Sequence, residues 1–339
     1  MRALILPVAA AAALLAGCGG ASADGSQGTP SALALSGPAT AKIADDDVHP
    51  ITESPEPELP VVVRSQDGEQ VRVTSVDRIV AVDLYGTLGE IVFSLGLGDN
   101  VVGRDSSTGF PSARHVPVVT SGGHDLNAEA ILDLDPTVVL TDTSIGPPEV
   151  QQQLRDAGVP VVFFEPGRTL AGVPGHIRAV AAALGVPAVG DQLVESVAKQ
   201  IDEAKALAPA GSRPPRVTFL YVRGSAGVYL MAGPGSGADA MIEAVGGVDV
   251  GTDVGLTEPF VPITSEALLN AQPEVIIVLT KGLESVGGID GLLRVPGVAQ
   301  TPAGQARRIV DVDDTDLLSF GPRVGATITA LATVLYGGR

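Results

Sequence analysis

The chain has 339 residues, 39 acidic against 21 basic, and a formal net charge of −18, which argues against nucleic acid or anionic lipid as a partner. Its one cysteine, Cys18, excludes an intrachain disulfide and a cysteine-ligated metal cluster, and its four histidines argue against a multi-histidine metal centre. No tryptophan and only 3% aromatic residues disfavour a pocket built on extensive ring stacking.

Arg2 precedes an apolar run over residues 3–16 that is too short to cross a bilayer as a stable helix. The run ends in Leu15-Ala16-Gly17-Cys18, and small residues before a cleavage point mark residues 1–17 as a secretory signal peptide. A cysteine directly after Leu-Ala-Gly resembles a bacterial lipobox, which implies a lipidated Cys18 as the mature N-terminus, anchored to the cell membrane on its outer side. Residues 18–60 are rich in Ser, Ala, Gly, Pro and carboxylates without a sustained apolar period, and read as a disordered tether; His49 within it has no expected role.

From residue 61 the composition becomes globular, and the roughly 280 residues left suit two lobes, over 61–186 and 208–339. Asp67-Gly68 between Val61-Val62-Val63 and Val71-Arg72-Val73 predicts a small hairpin. Short β-branched runs follow at 78–82, 137–140, 159–164, 216–221, 274–279 and 308–312, separated by helical segments. Near-continuous apolar strands alternating with helices predict an α/β fold, with mostly parallel, Rossmann-like sheets covered on both faces.

An internal repeat supports one such unit per lobe. Asn127-Ala-Glu129-Ala-Ile-Leu-Asp-Leu-Asp-Pro136 echoes Thr264-Ser-Glu266-Ala-Leu-Leu-Asn-Ala-Gln-Pro273, with the glutamates and the prolines both offset by 137 (266 minus 129, 273 minus 136). Each copy reads as a capped short helix with Glu in its first turn and Pro ahead of a buried strand. Between the copies, residues 187–207 carry Leu193, Val194, Val197, Ile201 and Ala204 at helical spacing, predicting one long rigid helix that joins the lobes. The Pro- and Gly-rich stretch 208–215 then releases the chain into the second lobe.

Two similar α/β lobes, one connecting helix, a lipobox and paired Glu-bearing helices resemble the ABC-importer binding proteins for haem, siderophores and cobalamin, over nearly all of residues 76–336. That resemblance implies a monomeric carrier whose Glu129 and Glu266 dock on arginine pockets of a membrane permease. Within this group, Ser121-Gly-Gly-His124-Asp-Leu-Asn127, Phe219-Leu-Tyr221-Val-Arg223-Gly224 and Gly233-Pro-Gly-Ser-Gly-Ala-Asp239 resemble the HmuT-type haemin-binding lipoproteins. The likeness implies haem as the transported ligand, its ferric iron held between His124 and Tyr221, with Arg223 hydrogen-bonded to the phenolate. The chemistry agrees: Tyr is an established haem ligand, and a nearby cation favours the anionic oxygen. Residues 221 and 223 share one strand face, at the strand end where open α/β sheets place ligands.

Further candidates for the cleft are Tyr85 in the loop after the first strand, and Tyr229 and Met231 against a porphyrin face. Arg104, Lys281 and Arg323 are candidate propionate partners; His115 would lie at the rim and His176 on a helix surface. A ferric siderophore or cobalamin is the alternative cargo. An enzyme is the reading from another class, against which stand the lack of a Gly-x-Ser-x-Gly elbow and of a Gly-x-Gly-x-x-Gly turn after the first strand.

Overall fold

A computed structural model describes residues 32–123 and 125–337. The signal peptide, Cys18 and His124 lie outside the described residues.

The first lobe holds a four-stranded parallel sheet in the order Val101–Arg104, Ile79–Val82, Val138–Asp142, Val161–Phe164. Ile79–Val82 and Val138–Asp142 are buried at every position, as central strands covered on both faces require. The second lobe's sheet runs Ala39–Ala41, Ile309–Val312, Val275–Leu279, Arg216–Arg223, Val228–Ala232, Phe260–Pro262. Its first four strands are parallel, and a tight turn at Gly224–Ala226 folds Val228–Ala232 back antiparallel. All six strands expected from β-branched runs are present. Val101–Arg104 was missed because it is short and interrupted by Gly103. The hairpin Val61–Arg64 with Gln70–Val73 forms as the Asp-Gly turn predicts.

The joining helix spans Pro187–Lys205, 19 residues or about 28 Å. Leu193, Val194, Val197, Ile201 and Ala204 are its buried face, with Gly190. It is sandwiched between Val173–Ala183 of the first lobe and the C-terminal helix Val324–Tyr336 of the second. Glycine permits both approaches: a Cβ at Gly190 would lie 2.4 Å from Ala181 Cβ, and one at Gly325 would lie 2.9 Å from Gln200 Cβ. Packing on both flanks stiffens the rod.

Residues 32–60 correct the expected disordered tether. Ala39–Ala41 adds a parallel edge strand beside Ile309–Val312, and Thr40 Oγ1 donates to Asp311 Oδ1 at 2.8 Å. The chain then crosses to the first lobe, where Asp47 accepts from the Ser112 amide (2.9 Å) and hydroxyl (2.7 Å), and Ile51 N donates to Ser94 O (2.8 Å). Leu35, Ala41, Ile43 and Val48 are buried along the way. Four scattered apolar residues show no period, yet they suffice because an edge strand is held largely by backbone hydrogen bonds. This segment is a strap across both lobes.

His176 also departs from expectation. It faces inward against Phe164, with ring centroids 6.0 Å apart, and neither ring nitrogen has a partner. Val173–Ala183 is small-residue-rich, so sequence alone does not distinguish its faces. Burial pulls the imidazole from 6.5 down to about 4. A base depressed in the folded state contributes stability above its unfolded pKa, lost as pH falls from about 6.5 through about 4. The shift corresponds to about 3 kcal/mol. His176→Phe is therefore expected to move the acid-unfolding midpoint, followed by circular dichroism, to lower pH; an unchanged midpoint would mean the ring is not desolvated.

Candidate functional site

The second lobe supplies one wall of a cleft. Arg216–Arg223 outruns its parallel neighbour, whose last registered partner is Leu220, so Tyr221 and Arg223 stand beyond it at the strand's C-terminal end. Both are half-buried while Val222 between them is fully buried, the alternation a strand imposes. Arg223 Cζ sits 4.6 Å from the Tyr221 ring centroid, a cation–π contact. Asp314 fixes it there, with Oδ1 2.6 Å from Arg223 Nη2 and Oδ2 accepting from the Lys281 amide at 2.9 Å. The guanidinium thus lies over the ring, held by Asp314, and not at the hydroxyl as the resemblance implied. Phe260 packs edge-on to the Tyr221 ring, 6.1 Å between centroids.

The first lobe supplies the opposite wall: Leu84, Tyr85, Ser106, Ser107 and Gly123. Two buried carboxyls shape these loops. Asp83 accepts from the amides of Tyr85 (2.8 Å) and Leu88 (2.7 Å), and Asp105 from those of Asp83 (3.1 Å), Ser107 (2.8 Å) and Thr108 (2.7 Å). Burial pushes both carboxyls up, and mutual repulsion adds to the rise at Asp83. Tyr85 reaches toward Arg168, whose Nη1 donates to its hydroxyl at 3.0 Å.

Together the walls enclose a cavity of about 450 Å³. It brings together Tyr221, Arg223, Tyr85 and Lys281 of the expected residues, and Gly123, the neighbour of His124 in sequence, also lines it. The Lys281 side chain makes no ion pair among the described residues.

Four expected cleft residues lie elsewhere. Tyr221 pairs with Leu230 across the hairpin, whereas Tyr229 and Met231 register with Val222 and Leu220 and so face the other side of the sheet. Met231 is fully buried there, and Tyr229 packs against the same cluster. Leu230 is the true cleft residue. Counting the register back from the turn at Gly227 would have found it. Arg104 is consumed by the carbonyls of Val116 (3.0 Å), Asp105 (3.1 Å) and Thr108 (2.9 Å), clamping its own loop. Arg323 bridges the lobes instead: its amide donates to Glu90 Oε1 at 2.5 Å and its guanidinium lies 3.5 Å from Glu90 Oε2. His115 is exposed and does not line the cavity. Gly233–Asp239 closes on itself, Asp239 accepting from Gly235 N (2.7 Å) and Gly237 N (2.9 Å), and leads into Ala238–Ala244. The apolar walls Phe260, Leu279 and Leu318 were missed, because nothing local distinguishes a cleft leucine from a core one.

Glu129 and Glu266 are both exposed, each in the first turn of a short helix, Ala128–Leu132 and Ser265–Ala271. Asn127 Oδ1 and Thr264 Oγ1 cap these helices as expected, each accepting a backbone amide at 3.1 Å.

The family model described as periplasmic binding protein matches residues 79–315. The fold is similar to the crystal structure of the haem-binding protein HmuT, at 40% identity and TM-score 0.84, covering 90% of this chain and 98% of that one. It is also similar to the periplasmic haem-binding protein RhuT from Roseiflexus sp. RS-1 in its apo form, at 44% identity and TM-score 0.72, covering 76% and 98%. An uncharacterized ABC transporter substrate-binding lipoprotein of Bacillus subtilis, YvrC, is 25% identical over 282 residues, 82% of this chain and 86% of its own.

Proposed function

The chain belongs to the periplasmic binding protein family, and from that premise we propose that it captures haem between its lobes and delivers it to an ABC-type permease. The observation that carries this reading is Tyr221 opening into the two-walled cavity beneath a guanidinium fixed by Asp314. An anionic oxygen suits ferric iron, and a fixed cation beside it favours the ionised phenol as ligand. His124 supplies the opposing ligand from the first lobe, next to the cavity-lining Gly123. Lys281 is free to meet a propionate. Leu84, Leu230, Phe260 and Leu279 give the macrocycle its apolar walls. Nothing in capture and delivery requires a bond to be made or broken in the cargo, so the protein acts as a carrier and not as an enzyme.

Cys18, lipidated, holds the carrier to the outer side of the membrane, and the protein works as a monomer. Glu129 and Glu266 dock on cationic pockets of the permease, which spreads the lobes and releases the haem. Haemin titrated into the purified protein is expected to give a ferric high-spin spectrum with a phenolate charge-transfer band. His124→Ala should change the ligand-field signature while keeping that band. Binding without the band would place the iron elsewhere, and an equal response to cyanocobalamin would favour a corrinoid as the cargo.

Docking carries its own expected result. Glu129→Ala combined with Glu266→Ala should abolish haem uptake by cells while leaving haemin affinity in solution unchanged. Normal uptake by the double variant would reject the docking role.

A further inference from the structure

The two Glu-bearing helices are alike in shape and unlike in charge. Arg78 Nε donates to Leu134 O at 2.8 Å, and Arg216 Nε to Ala271 O at 3.1 Å, carbonyls offset by the same 137 positions as the glutamates. Both helices then turn through a left-handed residue, Asp135 at φ 45° and Gln272 at φ 46°. One turn beyond each glutamate stands an exposed leucine, Leu132 at 37% and Leu269 at 40% accessibility. Residues three apart share a helix face, so each lobe presents a carboxylate beside an apolar knob.

The charges differ. Residues 125–136 carry Asp125, Glu129, Asp133 and Asp135, whereas residues 262–273 carry Glu266 alone, with Asn270 and Gln272 where the first copy has Asp133 and Asp135. All four first-lobe carboxylates are exposed, and none forms an ion pair among the described residues. Arg78 and Arg216 are common to both copies; Asp253, paired with Arg216, narrows the difference by one charge.

We infer that docking is polarised: the first lobe's acidic helix steers the carrier onto a permease with two equal basic, apolar-floored sockets, and both leucines then seat it. The duplicated surface fits a partner offering the same socket twice, and the unpaired carboxylates fit cationic rims. Charges at the edge of an interface set the association rate and its salt dependence, whereas buried apolar contacts set dissociation. The inference rests on the docking reading above and adds a division of labour to it.

The test uses the full chain loaded with haemin and the haem-importing permease of the cell that makes it, reconstituted in lipid nanodiscs. Association and dissociation are followed by stopped-flow and interferometry at several salt concentrations. Asp133→Asn with Asp135→Asn is expected to slow association at low salt by about tenfold and to flatten its salt dependence. Asn270→Asp with Gln272→Asp, which gives the second lobe the first lobe's charges, is expected to speed it. Leu132→Ser and Leu269→Ser should raise the dissociation rate by similar factors and leave association nearly unchanged. Haemin affinity in each variant reports that the fold is intact. Equal association rates for the Asp133/Asp135 variant and the parent would overturn the polarity while leaving the glutamates as docking points. Unchanged binding when Glu129 and Glu266 are both replaced by Gln would remove the docking reading itself.

Discussion

Tyr221→Phe is expected to eliminate the phenolate band and to lower haemin affinity by more than the ~10–100-fold that loss of an outer-shell partner costs at a metal site. Phenylalanine keeps the ring, its edge contact with Phe260 and its place beneath Arg223, so the variant removes one oxygen and little packing. The residual affinity then measures apolar burial and the first-lobe ligand alone. Arg223→Ala is the companion experiment. It leaves Asp314 without its 2.6 Å partner and the phenol without its fixed cation, and should cost about 10–100-fold in affinity while shifting the band. Isothermal titration together with visible spectra checks both. A Tyr221→Phe protein that binds haemin with unaltered colour and strength would sink the assignment.

The largest stability effect is expected at Glu90. This carboxylate is 2% exposed on the first-lobe helix Thr87–Ser94, yet its partners belong to the second lobe: the Arg323 amide and guanidinium, and Ser319 Oγ at 3.2 Å. Arg323 immediately precedes Val324–Tyr336, so Glu90 also sits at the positive end of that helix. Removing Glu90 leaves the Arg323 guanidinium to its ion pair with Asp316, 3.4 Å away, and breaking a buried pair typically costs about 3–5 kcal/mol. Glu90→Ala should lower stability by that amount in urea denaturation and weaken coupling between the lobes, giving a broader transition. Replacing Glu90 and Arg323 together with methionine should recover only part of the loss, since it leaves Asp316, 3.4 Å from Arg323 Nη2, without its cation. A cost below about 1 kcal/mol for Glu90→Ala would show that the lobes do not depend on this staple.

The contrast between Tyr221 and Arg323 shows what local pattern can and cannot reveal. Strands, the joining helix and the duplicated capped helices depend on periodicity and capping chemistry, which are written in consecutive residues. Tyr221 and Arg223 were singled out by the resemblance of residues 219–224, and strand parity agrees with it by putting both on one face. Tyr229 and Met231 were misplaced because parity was not carried across the hairpin, where the register inverts which residues share a side. Arg104 and Arg323 failed for another reason: a guanidinium's partner is chosen by tertiary proximity, and in both cases the protein's own acceptors captured it. The strap was hidden by composition, since its acidic, proline-rich stretch packs through backbone pairing that composition does not encode.

The strap also sets the mechanics of the carrier. With the helix Pro187–Lys205 it makes two spans between the lobes, and two spans fix a line where a single one would leave a swivel. Relative motion of the lobes is therefore expected to be rocking about that line, checked further by the Glu90–Arg323 bridge. For a protein held at its N-terminal end, a tug from the membrane runs lengthwise along the edge strand Ala39–Ala41 and loads its bonds to Ile309–Val312 in shear. Under the proposed anchoring at Cys18, such tension would load that strand and not the residues that line the cavity.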